Sequence, residues 1–451
     1  MPLTPHFNPG SVRDRLDRLV PATGPVLIGY SGGGDSHALM LIASDWARQR
    51  NRTLEALIVD HGLRAESRAE AEQALAAANK AQCLARILTC PPYQGQGTGL
   101  QDWARTHRYR AFGKHALETG ATALLLAHTA DDQAETVWMR LLAGAGWRGL
   151  AAMGEDDAFP GDTAPADLRV LRPLLDTRRQ ALRDWLAQKG ERWVEDNSNA
   201  DRRFTRVRIR QSLGHLEASG FSPSSLRTLA ASCRALGKAI DEESARVFED
   251  TVRVTDWGVA CLKPDALVRQ ADPVLRRLLE AAITTVTGAP GPHRAQGLEA
   301  LLAGLKSGRS ATGAGVVLHQ TVGTAWLIRD PGAVLGRAGE AGFPPLNVEP
   351  NQPAFWDRRF QISTDRPVSV CAWDQLPESV DRTGIDLSAI PPLARRTLPV
   401  AHDGGTVLAI PGVVSGTGVT MTHCGDVAVR RSLFSGRAPA WFDDGLQVKA
   451  G

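Results

Sequence analysis

The chain has 451 residues, a length that predicts two or three domains because one hydrophobic core of this size is uncommon. The net charge of +3 is too small to indicate nucleic-acid binding by itself, and the six cysteines form no C-x-x-C pair, which argues against a zinc or iron–sulfur site. The sequence shows neither a signal peptide nor a run of about 18 apolar residues, so we expect a cytoplasmic protein with no membrane-spanning segment.

The first 145 residues alternate between short apolar runs and amphipathic segments. These patterns predict buried strands over 26–30, 54–60, 84–89 and 121–127, and helices over 36–49, 67–81, 100–119 and 131–143. The alternation predicts an α/β fold built on a doubly wound parallel sheet. Ligands of such sheets bind beyond the carboxyl ends of the strands, where this chain has Asp60, His61 and His128.

The segment Ser31 to Ser36, S-G-G-G-D-S, lies between the first predicted strand and the first predicted helix, and we call it the phosphate loop. Its glycines, Gly32, Gly33 and Gly34, let backbone N–H groups approach an anion, and the helix start adds partial positive charge. No lysine follows, and Asp35 with Ser36 closes the loop, so it is neither of the two common glycine-rich nucleotide motifs. It resembles the PP-loop, S-G-G-x-D-S, of the ATP pyrophosphatase superfamily. A tight turn of small residues is the alternative.

Two arginines in the predicted helix 100–119, Arg105 and Arg108, are three residues apart and share a helix face. Surface arginines exposed to solvent are the ordinary interpretation of such a pair. An arginine at an ATP site can also neutralise phosphate charge during transfer.

A cluster of acids opens the helix that follows the fourth strand, in the segment His128 to Thr136. Asp132 and Glu135 lie on neighbouring turns of one helix face. A capping box formed by Thr129 and Asp132 would explain the first acid by itself. Carboxylates at the mouth of an ATP site can also hold magnesium or bind a cationic amine, and this role is compatible with capping.

The segment Glu195 to Arg210 combines turn residues with a dense run of arginines. Arg203, Arg206 and Arg210 align along one face of the predicted helix and would contact the phosphates of an RNA backbone, giving salt-sensitive binding. A basic face exposed to solvent is the alternative.

The rest of the chain divides by composition. Residues 156–165 are acidic and rich in proline and glycine, which indicates a flexible crossing. We expect domain 1–215 to be followed by a mostly helical domain over 216–330, with a strand pair near 315–328. A linker over 331–353 and a small β-rich domain over 354–451 complete the predicted organisation.

Several motifs, taken in order, resemble those of tRNA(Ile)-lysidine synthetases. They are the phosphate loop, Val59-Asp60-His61, Arg105 with Arg108-Tyr109, the D-D-Q-A-E-T of the acidic segment and E-D-x-S-N with the arginines that follow it. The likeness is close in the first half, weak to about residue 330, and limited to position and length beyond that. Val207 stands where the family usually has Asn, and Phe204 where it usually has Tyr.

The resemblance implies ATP-dependent attachment of free L-lysine to C2 of the wobble cytidine in the CAU anticodon of isoleucine tRNA. The cytidine is first adenylated, which releases pyrophosphate, and lysine then displaces AMP. On this likeness the phosphate loop, Val59 and His61 bind ATP, and Asp35 helps to place Mg²⁺.

The resemblance also assigns the remaining site residues. Asp132 and Glu135 match the family's lysine-binding acids, Arg108 steadies charge near the α-phosphate and the activated base, and His128 belongs to the same pocket. The two later domains and the segment Arg203 to Arg210 are implied to hold the tRNA.

Three other functions would use similar motifs. A tRNA thiolation enzyme shares the PP-loop and the adenylated base, but the absence of C-x-x-C argues against it. An ATP-gated RNA-binding module without catalysis would not need Asp35, Asp132 and Glu135 together. An amidotransferase-linked ligase is disfavoured because neither an N-terminal cysteine nor a glutaminase triad is visible.

Overall fold

A computed structural model describes residues 7–63, 66–93, 99–160, 164–165, 167–194, 205–288, 295–337 and 339–424. The chain forms two compact units, Met1–Gly237 and Lys238–Gly451. Within the described ranges, no helix combines the length and the apolar character needed to cross a membrane. The helices that lie in the first unit or begin there are α1 (Pro9–Leu19), α2 (Gly34–Gln49), α3 (Ser67–Lys80), α4 (Leu100–Thr119), α5 (Ala130–Leu142), α6 (Trp147–Leu150), α7 (Arg179–Gln188), α8 (Thr205–Ala218) and α9 (Pro223–Thr251).

The first unit is built on one six-stranded sheet in the order β3-β2-β1-β4-β6-β5. Its first five strands in that order are parallel, and β5 pairs antiparallel with β6 at the edge. The sheet therefore has the parallel, doubly wound topology that the sequence predicts. The strands are β1 (Val26–Gly29), β2 (Leu54–Asp60), β3 (Leu84–Thr89), β4 (Ala123–Leu125), β5 (Asp156–Ala158) and β6 (Arg169–Leu171).

Successive residues of the central strands face two separate cores, because side chains alternate across a sheet. Ile28 and Ile58 belong to the core shared with α1, α2, α3 and α7. Leu27 and Leu57 belong to the core shared with α4, on the other face. Both faces of the sheet are thus covered by helices, which leaves the strand ends as the exposed edge for a ligand.

The four predicted strands and four predicted helices of this region are confirmed within a few residues at each end. The strands β5 and β6 were not predicted. They have three residues each, too few to show a period, and β5 carries two acids. Asp156 pairs with Arg169 of β6, and Asp157 pairs with Arg172, so the first three residues of the predicted crossing form an ordered sheet edge, while residues 161–163 lie outside the described residues.

The second unit contains antiparallel sheets and short helices. Its helices are α10 (Pro264–Leu267), α11 (Asp272–Thr287), α12 (Ala295–Ser307), α13 (Pro331–Leu335) and α14 (Pro392–Arg395). A first sheet of order β7-β8-β11-β10-β9 comprises β7 (Val252–Val254), β8 (Ala260–Leu262), β9 (Ala311–Gly313), β10 (Val316–Thr321) and β11 (Thr324–Arg329). The predicted strand pair is confirmed as β10 and β11, but it belongs to a five-stranded sheet within the segment expected to be mostly helical.

Three further sheets complete the second unit and give it the β-rich C-terminal part that the sequence predicts. Two short strands form the first, β12 (Gly336–Arg337) and β13 (Glu340–Ala341). The second has the order β14-β17-β18-β19 and the third β15-β16-β20. Their strands are β14 (Leu346–Val348), β15 (Ala354–Trp356), β16 (Phe360–Thr364), β17 (Val368–Ala372), β18 (Pro399–His402), β19 (Val407–Ala409) and β20 (Val419–His423).

Residues 331–353, where the sequence predicts a linker, carry α13 and the strands β12, β13 and β14. Val334 and Val348 from this segment are buried in a core with Trp356 and Phe360. Elements of two to five residues show no hydrophobic period, so the glycines and prolines between them were the only visible pattern. The division between the two units falls within α9, at Gly237 and Lys238.

Candidate active site

The phosphate loop leaves the carboxyl end of β1 and turns directly into α2, which begins at Gly34. Gly32 has a φ of +79°, a conformation that favours glycine. The two serines close the turn, since their Oγ atoms lie 3.0 Å apart and the Ser36 hydroxyl donates to the Gly33 carbonyl oxygen at 2.9 Å. The predicted strand–loop–helix arrangement is therefore present, with the N-terminus of a 16-residue helix at the loop.

A short segment after α7 packs over this loop. The Val194 N–H donates to the Gly32 carbonyl oxygen at 3.0 Å. The indole of Trp193 lies against Gly34, with Nε1 3.2 Å from the position that a Cβ on Gly34 would occupy. The loop thus has a fixed cover on one side, which sequence reasoning did not assign.

A cavity of about 520 Å³ opens beside the loop at the carboxyl ends of the strands. It brings together eight of the residues that the sequence singles out: Ser31, Asp35, Ser36, Val59, His61, Arg108, His128 and Asp132. The pKa of His61 is lowered by burial and then by the positive charge of Arg108, which favours the neutral imidazole. The cavity has the position expected for a nucleotide in a doubly wound sheet.

Three carboxylates, two of which line this cavity, converge on the guanidinium of Arg179, and we call Asp35, Asp132 and Glu135 the acidic cluster. Arg179 Nε donates to Asp35 Oδ2 at 2.9 Å, and one terminal nitrogen donates to Asp132 Oδ1 at 2.7 Å. The other terminal nitrogen lies 3.5 Å from Glu135 Oε1. One cation therefore links the phosphate loop to the acids of α5.

Burial and neighbouring charges shift the pKa values of Asp35 and Asp132 in opposite directions. Burial raises the pKa of Asp35 more than the attraction of Arg179 lowers it. Burial also opposes ionisation of Asp132, but the charge of Arg179 and hydrogen bonds from Thr129 keep its pKa below the usual value. The acids raise the pKa of Arg179 against the effect of its own burial. The site therefore holds charged groups that depend on one another.

One carboxylate oxygen of Asp35 has no hydrogen-bond partner among the described residues. This oxygen, Oδ1, is buried. A buried carboxylate oxygen of this kind fits a cation, and Mg²⁺ is usually held by one or two carboxylates plus phosphates and water. Among the described residues, no three acids, histidines or cysteines are grouped closely enough to hold a metal ion alone.

The start of α5 is organised by a capping box. Asp132 Oδ2 accepts from the Thr129 N–H at 2.8 Å and from its hydroxyl at 2.7 Å. The capping interpretation of this segment is confirmed, and it coexists with the contact between Asp132 Oδ1 and Arg179. The neighbouring Asp131 accepts from the backbone N–H of Arg179 at 2.7 Å, which fixes the start of α7 against α5.

The three predicted RNA-binding arginines differ in what the structure shows of them. Arg203 lies outside the described residues, and Arg206 lies on α8. Arg210, also on α8, donates from Nε to Glu135 Oε1 at 2.8 Å. This arginine therefore contacts the acidic cluster, and Glu135 accepts from two guanidinium groups.

Arg179 was missed by sequence reasoning although a signal was present. Arg178 and Arg179 stand at the first turn of α7, which has no acid there. Cations at a helix N-terminus are disfavoured by the helix dipole, so two arginines at this position indicate carboxylate partners outside the helix. Nothing in the sequence near Trp193 gave a comparable signal.

Comparisons with known proteins identify the domain and the family of the chain. A PP-loop domain model matches residues 11–217. The chain is similar to tRNA(Ile)-lysidine synthases of Caulobacter vibrioides, 33% identical over 86% of this chain and 87% of that protein, and of Methylobacterium nodulans, 37% identical over 70% and 94%. The alignment with the enzyme of Ruegeria pomeroyi, 36% identical, covers 63% of this chain and 66% of that protein.

Among solved structures, the chain is similar to the U34-tRNA thiolase NcsA of Methanococcus maripaludis, with a TM-score of 0.43 and 17% identity over 51% of this chain and 77% of that one, a likeness too remote to bear on function. The PP-loop match and the near full-length relatives together decide the family. The chain belongs to the tRNA(Ile)-lysidine synthase family.

Proposed function

We propose that this protein uses ATP to attach L-lysine to C2 of the wobble cytidine in the CAU anticodon of isoleucine tRNA, in the cytoplasm. The observation that carries the proposal is the acidic cluster itself. Asp35 of the phosphate loop and the two acids matched to lysine binding, Asp132 and Glu135, all lie within reach of one guanidinium. ATP activation and lysine capture can therefore take place in one site.

Activation is needed because the C2 oxygen of cytosine is a poor leaving group, and adenylation converts it into the oxygen of departing AMP. Backbone N–H groups of the phosphate loop and the N-terminus of α2 would hold the pyrophosphate that leaves. Asp35 would hold Mg²⁺ through its free Oδ1. When bound, Mg²⁺ supplies neutralisation of phosphate charge.

Lysine capture requires both recognition and deprotonation. The free amine has a pKa near 10.4, so it arrives as an ammonium group and must lose a proton before it attacks C2. Asp132 and Glu135 supply the negative charge that recognises ammonium. Their burial excludes water, which strengthens this attraction.

Arg108 and His128 line the same cavity as the phosphate loop. Arg108 would stabilise negative charge that develops at the α-phosphate and the activated base. His128 would act within the same pocket, close enough to Asp132 for its charge to lower that carboxyl pKa.

RNA binding is assigned to the arginines Arg203, Arg206 and Arg210 together with the second unit. Arg210 donates to Glu135, so its role in RNA binding would begin with exchange of that carboxylate for a phosphate. Phosphate contacts position the tRNA, and the anticodon base is then read inside the site.

The decisive experiment incubates the full-length protein with radiolabelled lysine, ATP, Mg²⁺ and an isoleucine tRNA transcript bearing CAU. We expect acid-stable label in the RNA and release of AMP and pyrophosphate. Absence of lysine label, together with sulfur incorporation when a sulfur donor is added to the same incubation, would identify a thiolation enzyme. RNA binding without pyrophosphate release would identify a non-catalytic module. The same transcript with a different wobble base is the matched control and should remain unlabelled.

A further inference from the structure

The acidic cluster already has cationic partners from the protein itself, since Arg179 contacts all three acids and Arg210 contacts Glu135. Glu135 and Asp132 have side-chain exposures of 4% and 13%, and Arg179, at 17%, touches both of them. Arg179 reaches the cluster from the first turn of α7 and is held there by its backbone hydrogen bond to Asp131. The place where a substrate ammonium is expected is thus occupied by a guanidinium.

This occupation has a physical reason. Two buried carboxylates on adjacent turns repel each other, and each is strongly destabilised if it stays ionised without a partner. An internal cation keeps both acids ionised and oriented before any substrate arrives. The same cation must then be displaced or share its partners when a second positive group enters, because like charges in a buried site repel.

Arg179 also reaches the phosphate loop. Its Nε donates to Asp35 Oδ2, while Asp35 Oδ1 is left for a cation. A Mg²⁺ ion bound by Asp35 weakens the hydrogen bond between Arg179 and Asp35, which is one of the three contacts of this guanidinium with the acidic cluster. A rigid guanidinium that loses one attachment holds the other two less firmly. A change at the nucleotide side is therefore transmitted to the acids that recognise lysine.

We propose that Arg179 is a positioning residue that occupies the lysine-binding acids in the empty enzyme, competes there with the substrate ammonium, and couples lysine binding to binding of Mg²⁺-nucleotide through Asp35. This inference rests on the proposed function, since it takes lysine as the ligand of Asp132 and Glu135. Lysine binds more tightly when Mg²⁺-nucleotide is present, and by linkage the nucleotide binds more tightly when lysine is present.

The test measures lysine binding to the full-length protein by calorimetry, without nucleotide and with Mg²⁺ and an ATP analogue that has a methylene group between the α- and β-phosphorus atoms. For the wild type we expect the lysine Kd to fall about tenfold on addition of the analogue, within the usual range of coupling between sites. For Arg179→Gln we expect the two Kd values to be equal, and the value without nucleotide to be lower than in the wild type.

The lysine Kd of Arg179→Gln without nucleotide distinguishes competition by Arg179 from a purely supporting role. If Arg179 merely held the acids in place, Arg179→Gln would weaken lysine binding in both states, and that outcome overturns the proposal. A tenfold coupling that persists in Arg179→Gln overturns it as well. Arg178→Gln is the matched control, because Arg178 precedes Arg179 but pairs with Asp131 and Glu217, and it should keep the wild-type coupling.

Arg179→Lys keeps the charge and carries the test if Arg179→Gln does not fold. One ammonium cannot span three carboxylates as a guanidinium does, so its coupling should be smaller than in the wild type. Coupling equal to the wild type in Arg179→Lys overturns the proposal. A wild-type protein that binds lysine equally with and without the analogue refutes the coupling but leaves the ligase function intact. Failure to bind lysine in either state, with no label in the tRNA, refutes the function itself.

Discussion

The indole of Trp193 occupies the space above Gly34 in the phosphate loop. Its Nε1, Cδ1 and Cε2 atoms lie 3.2, 3.3 and 3.5 Å from where a Cβ on Gly34 would stand. The PP-loop motif accepts any residue at this position, yet here a side chain would press on a packed ring. Gly34 and Trp193 therefore form a matched pair, and their packing fixes the distance between the phosphate loop and the segment that covers it.

Gly34→Val should disturb the loop through this contact. A branched side chain at the first residue of α2 must displace the indole, and overpacking of this kind typically costs about 1–3 kcal/mol of unfolding free energy. Urea unfolding and the Kd of an ATP analogue measure the two effects. In the double variant with Trp193→Ala, the added cost of the valine should largely disappear, since the space is then empty. Additive losses would show that the pair does not interact.

Thr129→Ala separates the capping role of the α5 start from its proposed role in lysine binding. Loss of the threonine hydroxyl removes a cap and should lower the unfolding free energy by about 1 kcal/mol. Lysine affinity should change little, because Asp132 keeps its charge and its contact with Arg179. Asp132→Asn should instead weaken lysine binding much more than it lowers stability. Equal loss of lysine affinity in both variants would mean that Asp132 acts only as a cap.

The fold of the first unit was largely predictable because four of its strands lie in apolar runs of five to seven residues; β4 itself has three residues but lies in the run 121–127. The bounds of β2 and β3 match the predicted ranges, and so does the whole of α4. The three-residue strands β5 and β6 lie in no such apolar run and gave no pattern. The five-stranded sheet of the second unit, β7-β8-β11-β10-β9, was missed for the same reason, since three of its five strands have three residues each.

The site was predictable where its residues follow directly from a strand end or a helix start, as for Asp35 and Asp132. Arg179 lies 144 residues from Asp35 along the chain, and only packing of α7 against α2 brings the two together. Arg210 shows the opposite difficulty. Its position on a basic helix face indicated RNA, whereas its observed partner is Glu135. Local patterns identify charged groups, but the tertiary fold decides which of them pair.

Ionisation of Tyr30 should lower the unfolding free energy of the protein at alkaline pH. Its side chain is 3% exposed, and burial, followed by the charges of Cys83 and Glu191, raises its pKa from 10.0 to about 12. Because the unfolded phenol ionises first, this stabilisation is present in full below pH 10 and is lost as the pH rises through about 12. The loss amounts to about 2–3 kcal/mol for this shift.

Tyrosinate absorbance gives a direct measurement, because the chain has only three tyrosines. Tyr30 should titrate late, and Tyr30→Phe should remove that late component and flatten the alkaline fall in unfolding free energy. Tyr93→Phe, which leaves Tyr30 unchanged, is the matched control for the loss of one phenol. A late component that survives Tyr30→Phe would assign it to another tyrosine.

Asp35→Asn should abolish pyrophosphate release while leaving tRNA affinity within about twofold of the wild type. The amide has the shape of the carboxylate but lacks the charge that would hold Mg²⁺. Pyrophosphate release and tRNA filter binding are measured on the same preparation, and Asp45→Asn, a partly exposed aspartate of α2 that pairs with Arg48, serves as control. A collapse of tRNA affinity in Asp35→Asn would place this residue in RNA binding instead of ATP activation.

Arg206→Glu should weaken tRNA binding and flatten its dependence on salt. If Arg206 neutralises a phosphate, its loss releases one fewer counterion, so the slope of log K against log salt should fall by about one. The Kd is measured by filter binding over a series of salt concentrations. Arg48→Glu makes the same charge change at an exposed position of α2 and controls for the general effect of net charge. Because a purely electrostatic field acts on both variants alike, a slope reduced only in Arg206→Glu indicates a direct phosphate contact. Equal slopes in the wild type and Arg206→Glu would exclude Arg206 from the phosphate contacts of the RNA interface.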